Sequence, residues 1–230
     1  MHAGRIFALS IAAGLVAGAV LAAMNAALAN PQIEQMADLY FDYLLTEGIV
    51  DEEEFDAALQ SVYAQQIAFP LAAGPAAGAA IAVAHLKIRK DAFKVALAVA
   101  GAAWVSLFVM PVLKYPYNPD ALFDPEVAGA YMMLYVAYAA ISGLAALGSA
   151  VALARTGRKN WYIGAAGVYL AVVAALFFIF PSFPETEIVP LSMLAPWRSA
   201  SAAGMTAFWF TLGIVAGVLL EKKNGAGRGI

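Results

Sequence analysis

The sequence predicts an all-α integral membrane protein with six transmembrane helices, and three observations carry that prediction. Hydrophobic residues make up 63% of the chain, charged residues 13%, and mean hydropathy is +0.77, outside the range of soluble domains. Uncharged apolar runs of span length recur too often in 230 residues to form one buried core. Basic and acidic residues also alternate between successive connections, as membrane insertion requires. The chain therefore reads as a single membrane domain over 1–230, with an acidic insertion at 30–66.

The first expected span is Ile6–Leu28, uncharged throughout and ~35 Å long as a helix against ~30 Å of hydrocarbon. Arg5 before it and Ala27-Leu28-Ala29 at its end also resemble a signal peptide and its cleavage site. The run exceeds the usual apolar core of such peptides, so an uncleaved span is expected. Residues 30–66 then carry Glu34, Asp38, Asp42, Glu47, Asp51, Glu52, Glu53, Glu54 and Asp56 without one Lys or Arg. Ile33, Met36, Tyr40, Tyr43 and Leu44 recur at helical spacing, which predicts an amphipathic helix over 32–46 with Gly48 at its end. Asp51 with Glu54 three residues on is a capping-box-like start, and Phe55, Leu59 and Val62 continue a second helix toward the next span. The expectation is an acidic helical hairpin on the outer face.

Ile67–Leu86 follows as the second span, interrupted by Pro70 and Pro75. Gly74 and Gly78 form a small-residue face, as do Gly14 with Gly18 and Gly213 with Gly217; packing within the chain is their expected use. The third and fourth spans are expected at Ala92–Leu113 and Ala128–Leu153, and the fifth at Trp161–Phe180, with Trp161 and Tyr162 as interfacial anchors. A second proline-punctuated connector, Pro181–Ser201, leads into Ala202–Leu220. With both termini cytoplasmic, 11 of the 13 basic residues lie inside, all but Lys114 and Arg198. The outer side then holds 14 of the 16 acids, all but Asp91 and Glu221. A cell-membrane, multi-pass topology follows.

Several function classes drop out. There is no cysteine, hence no disulfide or thiolate site, and the two histidines, His2 and His85, cannot build a histidine-rich metal cage. No histidine–carboxylate pair, phosphate-cradling glycine loop or basic stripe occurs, so neither enzyme chemistry nor nucleic-acid binding is expected. No tightly bound cofactor is implied. The spans hold almost no ionisable residues, which argues against an intramembrane proton relay.

The polar chemistry gathers in Met110–Glu126, where Pro111, Pro116, Pro119 and Pro125 prevent one helix from running straight through. Lys114-Tyr115-Pro116-Tyr117-Asn118-Pro119 resembles the K-Y-P-x-N-P motif of the CbtA family. The likeness extends to Pro111-Val112-Leu113 before it and Asp124-Pro125-Glu126 after it. Phe183-Pro184 through Pro190, then Trp197-Arg198, Ser201 and Trp209, resemble the family's last outer loop and final helix. The resemblance implies the membrane subunit of a cobalt transporter, with Co²⁺ or another divalent cation as cargo. It also implies a small single-span CbtB-like partner with a histidine-rich tail. Two departures stand out: the acidic insertion lacks histidine, and Asp120 replaces the family's usual second proline.

Two readings of the connector compete. Asn118, Asp120, Asp124 and Glu126 offer hard oxygen ligands for a divalent cation at the outer mouth. Alternatively Asp124 is the N-cap of the fourth span, Pro125 its first residue and Glu126 a partner of the helix dipole. Glu185 and Glu187 are further outer acids, and His85 is an inner ligand candidate or a polar anchor. Lys114 would repel a cation unless paired with Asp120 or Asp124, and Arg198 pairs with an acid or snorkels to headgroups. Met110, Met132, Met133 and Met205 are read as packing. The function classes left are a divalent-metal permease subunit, or a non-catalytic accessory or structural subunit of a larger membrane complex, with an oligomer open in either case.

Overall fold

The computed structural model describes residues 2–46, 51–88, 91–123 and 125–225, without the side chains of 125, 126 and 222–225. Regular structure among the described residues is helical: α1 (Ala3–Thr46), α2 (Glu52–Ile88), α3 (Ala92–Lys114), the single turn α4 (Asp120–Phe123), α5 (Pro125–Ala154), α6 (Trp161–Ile179) and α7 (Leu191–Gly225). Six of these, all but α4, are long and apolar enough to cross a membrane. The six-span, all-α expectation holds at that level.

The boundaries differ, and proline explains most of the differences. The first span does not stop at Leu28; Ala27-Leu28-Ala29 lie in a π-helical turn, Asn25–Ala29, through which α1 continues to Thr46. The helix expected at 32–46 is therefore the same helix as the first span. A second π-helical turn, Trp104–Val109, carries α3 through Pro111 to Lys114. Both turns end two residues before a proline, Pro31 or Pro111. The wider turn relieves the clash of the ring with the preceding carbonyls, so the helix bends rather than stops. At the other end of the chain α7 begins at Leu191, well before the expected Ala202, and contains Pro196. That proline forfeits only a bond to the carbonyl of Ser192, an exposed residue in the first helical turn that solvent can serve.

Helix lengths carry consequences. At ~1.5 Å per residue, the 44 residues of α1 and 37 of α2 run to ~66 and ~55 Å, beyond the ~30 Å of hydrocarbon. The excess is the acidic stretch. Its second half starts where the Glu54 amide donates to Asp51 Oδ1 at 2.9 Å, the expected cap. Phe41 and Phe55, ring centroids 5.1 Å apart, join the two acidic arms. Gly48, expected to end the first arm, lies outside the described residues.

The chain divides into two compact units, Met1–Gly101 with Ile188–Ile230, and Ala102–Glu187. In the first, Ser10, Gly14 and Gly18 of α1 face Gly78, Gly74 and Pro70 of α2 in antiparallel register. A Cβ at Gly14 would strike the Gly74 carbonyl, and one at Gly78 the Ser10 carbonyl, so the two backbones approach where only glycine fits. On α7, Gly213 and Gly217 admit Leu97, Ala100 and Phe93 of α3. The small-residue faces thus pack within the chain, as expected.

The same pair of helices holds a polar repair. Pro70 has no N–H, so the Gln66 carbonyl four residues earlier loses its helical donor. Asn25, buried at the π-helical turn of α1, donates its Nδ2 to that carbonyl at 2.9 Å. Asn25→Ala should cost about 1–3 kcal/mol of stability in detergent, the penalty of a buried unserved carbonyl. The same substitution in a Pro70→Ala background should cost much less, because residue 70 then supplies the amide. Equal losses in both backgrounds, by thermal unfolding, would show that the bond is not what makes Asn25 matter.

Candidate functional site

The second unit is organised around tyrosine. On α5, Tyr131, Tyr135, Tyr138 and Ser142 recur at helical spacing on one face, toward α6 and the connector. Tyr138 donates to the Val173 carbonyl at 3.4 Å, and Ser142 Oγ meets the Tyr169 hydroxyl at 3.0 Å. Phenols suit this place, because each buries a large ring yet carries a donor for a stray carbonyl.

Stray carbonyls arise where α3 ends. Its last residue, Lys114, is followed by Tyr115 in a non-helical conformation, and Pro116 and Pro119 contribute no amide. Tyr131 answers by donating its hydroxyl to the carbonyls of Tyr115 and Pro116, at 2.9 and 3.2 Å. Tyr115, wholly buried, sends its own hydroxyl 2.8 Å to the carbonyl of Pro181. Its ring stands edge-on to those of Tyr131 and Tyr138, at 6.4 and 6.0 Å. Phe183 of the second connector and Phe180, which caps α6, pack edge-on against Tyr131 and Tyr138 respectively.

Asn118 works in both directions. Its Oδ1 accepts the Asp120 amide at 3.0 Å, and its Nδ2 donates to the Pro184 carbonyl at 3.1 Å. The Asn118 and Pro119 carbonyls accept the amides of Ala121 and Leu122, which starts α4. The K-Y-P-Y-N-P segment is thus an anchor, Tyr115, and a staple, Asn118, that tie 115–119 to 181–184. Pro119 is fully buried, Pro116 half-buried.

The sequence profile of CbtA, described as a probable cobalt transporter subunit, matches residues 3–221. The chain belongs to the CbtA family. No curated protein and no solved structure is detectably similar to it.

The residues singled out in this CbtA chain fall as follows. Asn118 is buried, and Asp120 half-buried at the start of α4. Asp124 and the side chain of Glu126 lie outside the described residues, although α5 does begin at Pro125 as the capping reading expects. Lys114 has an aromatic partner: Nζ lies 4.9 Å from the Phe177 ring centroid. Glu185 and Glu187 are exposed on the second connector. Trp197, buried, and Arg198, half-buried, lie on α7 in the other unit. His85 is buried on α2 there, its Nδ1 without a hydrogen-bond partner. Among the described residues, no three His, Asp or Glu side chains are grouped to hold a metal ion.

Sequence reasoning passed over Tyr131, Tyr138 and Tyr169. The signal was present, since polar-tipped residues repeat along one face of a span, but their acceptors are set by tertiary contact. Outside the spans, burial raises the pKa of Tyr115, and burial, then Tyr135 and Tyr131, raise that of Tyr117. A phenol raised above 10.0 favours the fold fully below that pH and loses its contribution as pH climbs through the raised value. Stability in detergent should therefore be flat up to about pH 10 and fall above it. Tyr131→Phe should remove about 1–3 kcal/mol by leaving carbonyls at Tyr115 and Pro116 unserved. Tyr131→Phe with wild-type thermal stability would show that solvent already serves them.

Proposed function

We propose that this CbtA subunit passes a divalent cation, Co²⁺ by the family's description, across the cell membrane with the 110–126 connector at its outer mouth. The observation that carries this is the family match over nearly the whole chain. The family's description as a subunit implies partners, and a small single-span CbtB-like protein with a histidine-rich tail is the partner we propose. It would supply the cluster of imidazoles that two histidines in this chain cannot, since cobalt favours them over oxygen.

The proposed orientation puts both termini in the cytoplasm and the acidic arms of α1 and α2 outside. Its support is the 11-to-2 division of basic residues and the alternation of six spans. The outer acids would then raise the local cation concentration, an effect that salt screens within about 8–10 Å. Asp120, Asp124 and Glu126 are the proposed ligands, together with Asn118, whose Oδ1 keeps a second lone pair beside its bond to the Asp120 amide.

One observation favours a second reading. Both polar atoms of Asn118 are engaged, Nδ2 in tying the first connector to Pro184 of the second and Oδ1 in accepting the Asp120 amide at the start of α4. On that basis the motif is architecture, and the chain an accessory subunit.

Cobalt uptake into proteoliposomes, with and without the partner, separates the two. Asp124→Asn and Asp124→Ser both preserve a helix cap. If charge at 124 binds the ion, each should abolish uptake while the protein still inserts, and Asp120→Asn should impair it. Full uptake by the Asp120→Asn, Asp124→Asn double variant would leave the connector as structure alone. Orientation has its own measurement in this cysteine-free background. Cysteine at Thr46 should react with an impermeant reagent added to intact cells, and cysteine at Thr156 should not.

A further inference from the structure

The second unit contains an apolar cleft that no part of the cobalt reading uses. Met110 and Leu113 of α3, Tyr138 of α5, and Leu170, Ala174 and Phe177 of α6 line most of it, and no lining residue is charged. Leu113, Leu170, Phe177 and Phe178 are exposed. One cation stands at its rim: Lys114, with Nζ 4.9 Å from the centroid of Phe177. Lys114 is also the last residue of α3, and Phe177 lies two residues before the end of α6. The rim is thus at the end of two spans, where hydrocarbon gives way to headgroups, and the cleft extends from it along apolar side chains.

We infer that this cleft holds an acyl chain of an anionic phospholipid whose phosphate rests on Lys114. Position argues for a lipid chain: the cleft, about 280 Å³, opens along Leu113, Leu170 and Phe178, exposed side chains of two apolar spans that hydrocarbon meets first. Charge argues for an anionic headgroup, because the Lys114 ammonium keeps its three donors while resting on a ring face. A zwitterionic lipid would bring its own cation to the same place and lose most of that attraction. The site lies wholly within the second unit, and it goes beyond the transport reading because it involves neither the cargo nor the carboxylates.

Native mass spectrometry of the full chain in detergent tests this with phosphatidylglycerol and phosphatidylcholine of identical acyl chains. Wild type should retain phosphatidylglycerol more tightly. Lys114→Gln should weaken that lipid about fivefold, the effect of one basic residue at a headgroup, and bring it level with phosphatidylcholine. Lys114→Arg should keep the preference. Ala174→Trp, at an exposed lining position, should fill the cleft and reduce retention of both lipids. An undiminished phosphatidylglycerol preference in Lys114→Gln would overturn the assignment of the headgroup. Unchanged retention of both lipids by Ala174→Trp, or crosslinking of the cleft to a protein segment in place of lipid, would overturn the assignment of the cleft.

Discussion

A proline inside a membrane span leaves a carbonyl without its helical donor, as non-helical backbone at a span's end does too, and serving these carbonyls organises this structure. In hydrocarbon an unserved carbonyl has no water to turn to, so a donor has to come from elsewhere in the protein. The chain carries 11 prolines. Asn25 serves the carbonyl that Pro70 deprives; Tyr131 serves those of Tyr115 and Pro116; Tyr115 and Asn118 serve those of Pro181 and Pro184. Each donor is a side chain from a distant part of the sequence, so each repair is also a tertiary tether.

That constraint joins with a second one, close approach. Gly14, Gly18, Gly74 and Gly78 let α1 and α2 approach until backbone meets backbone. At that separation a short amide such as Asn25 reaches across to a carbonyl on the neighbouring helix. Pro70 sits in the same seam, its carbonyl against Gly18. Thus the kink, the small residues and the amide form one unit of packing, and the π-helical turn at Asn25–Ala29 places the amide within it.

Legibility followed locality. The Asp51 cap was readable because donor and acceptor are three residues apart, and the glycine faces because period-four spacing is itself the signal. Pro196 misled, since a proline is a boundary only where nothing accommodates it, and the first turn of a helix does. The π-helical turn that carries α1 past Leu28 to Thr46 leaves no mark in the spacing either. The connector's composition marked it as a site, and the motif marked its family. The tasks of Tyr115 and Asn118 stayed hidden, because their partners at 181 and 184 lie 66 residues away.

The tethers also limit what the proposed cation site can be. Channels that strip an ion of water often do so with rings of free backbone carbonyls. Here the carbonyls at Tyr115, Pro116, Pro181 and Pro184 already accept hydroxyl or amide protons. To recruit them, an ion would have to displace the bonds that hold the two connectors together. Carboxylates bring a full charge, which offsets the desolvation of a divalent ion better than a neutral carbonyl does. The carboxylate site proposed above would therefore leave a cation much of its water. Such a site captures rather than filters, which suits a subunit that works with others better than a pore acting alone.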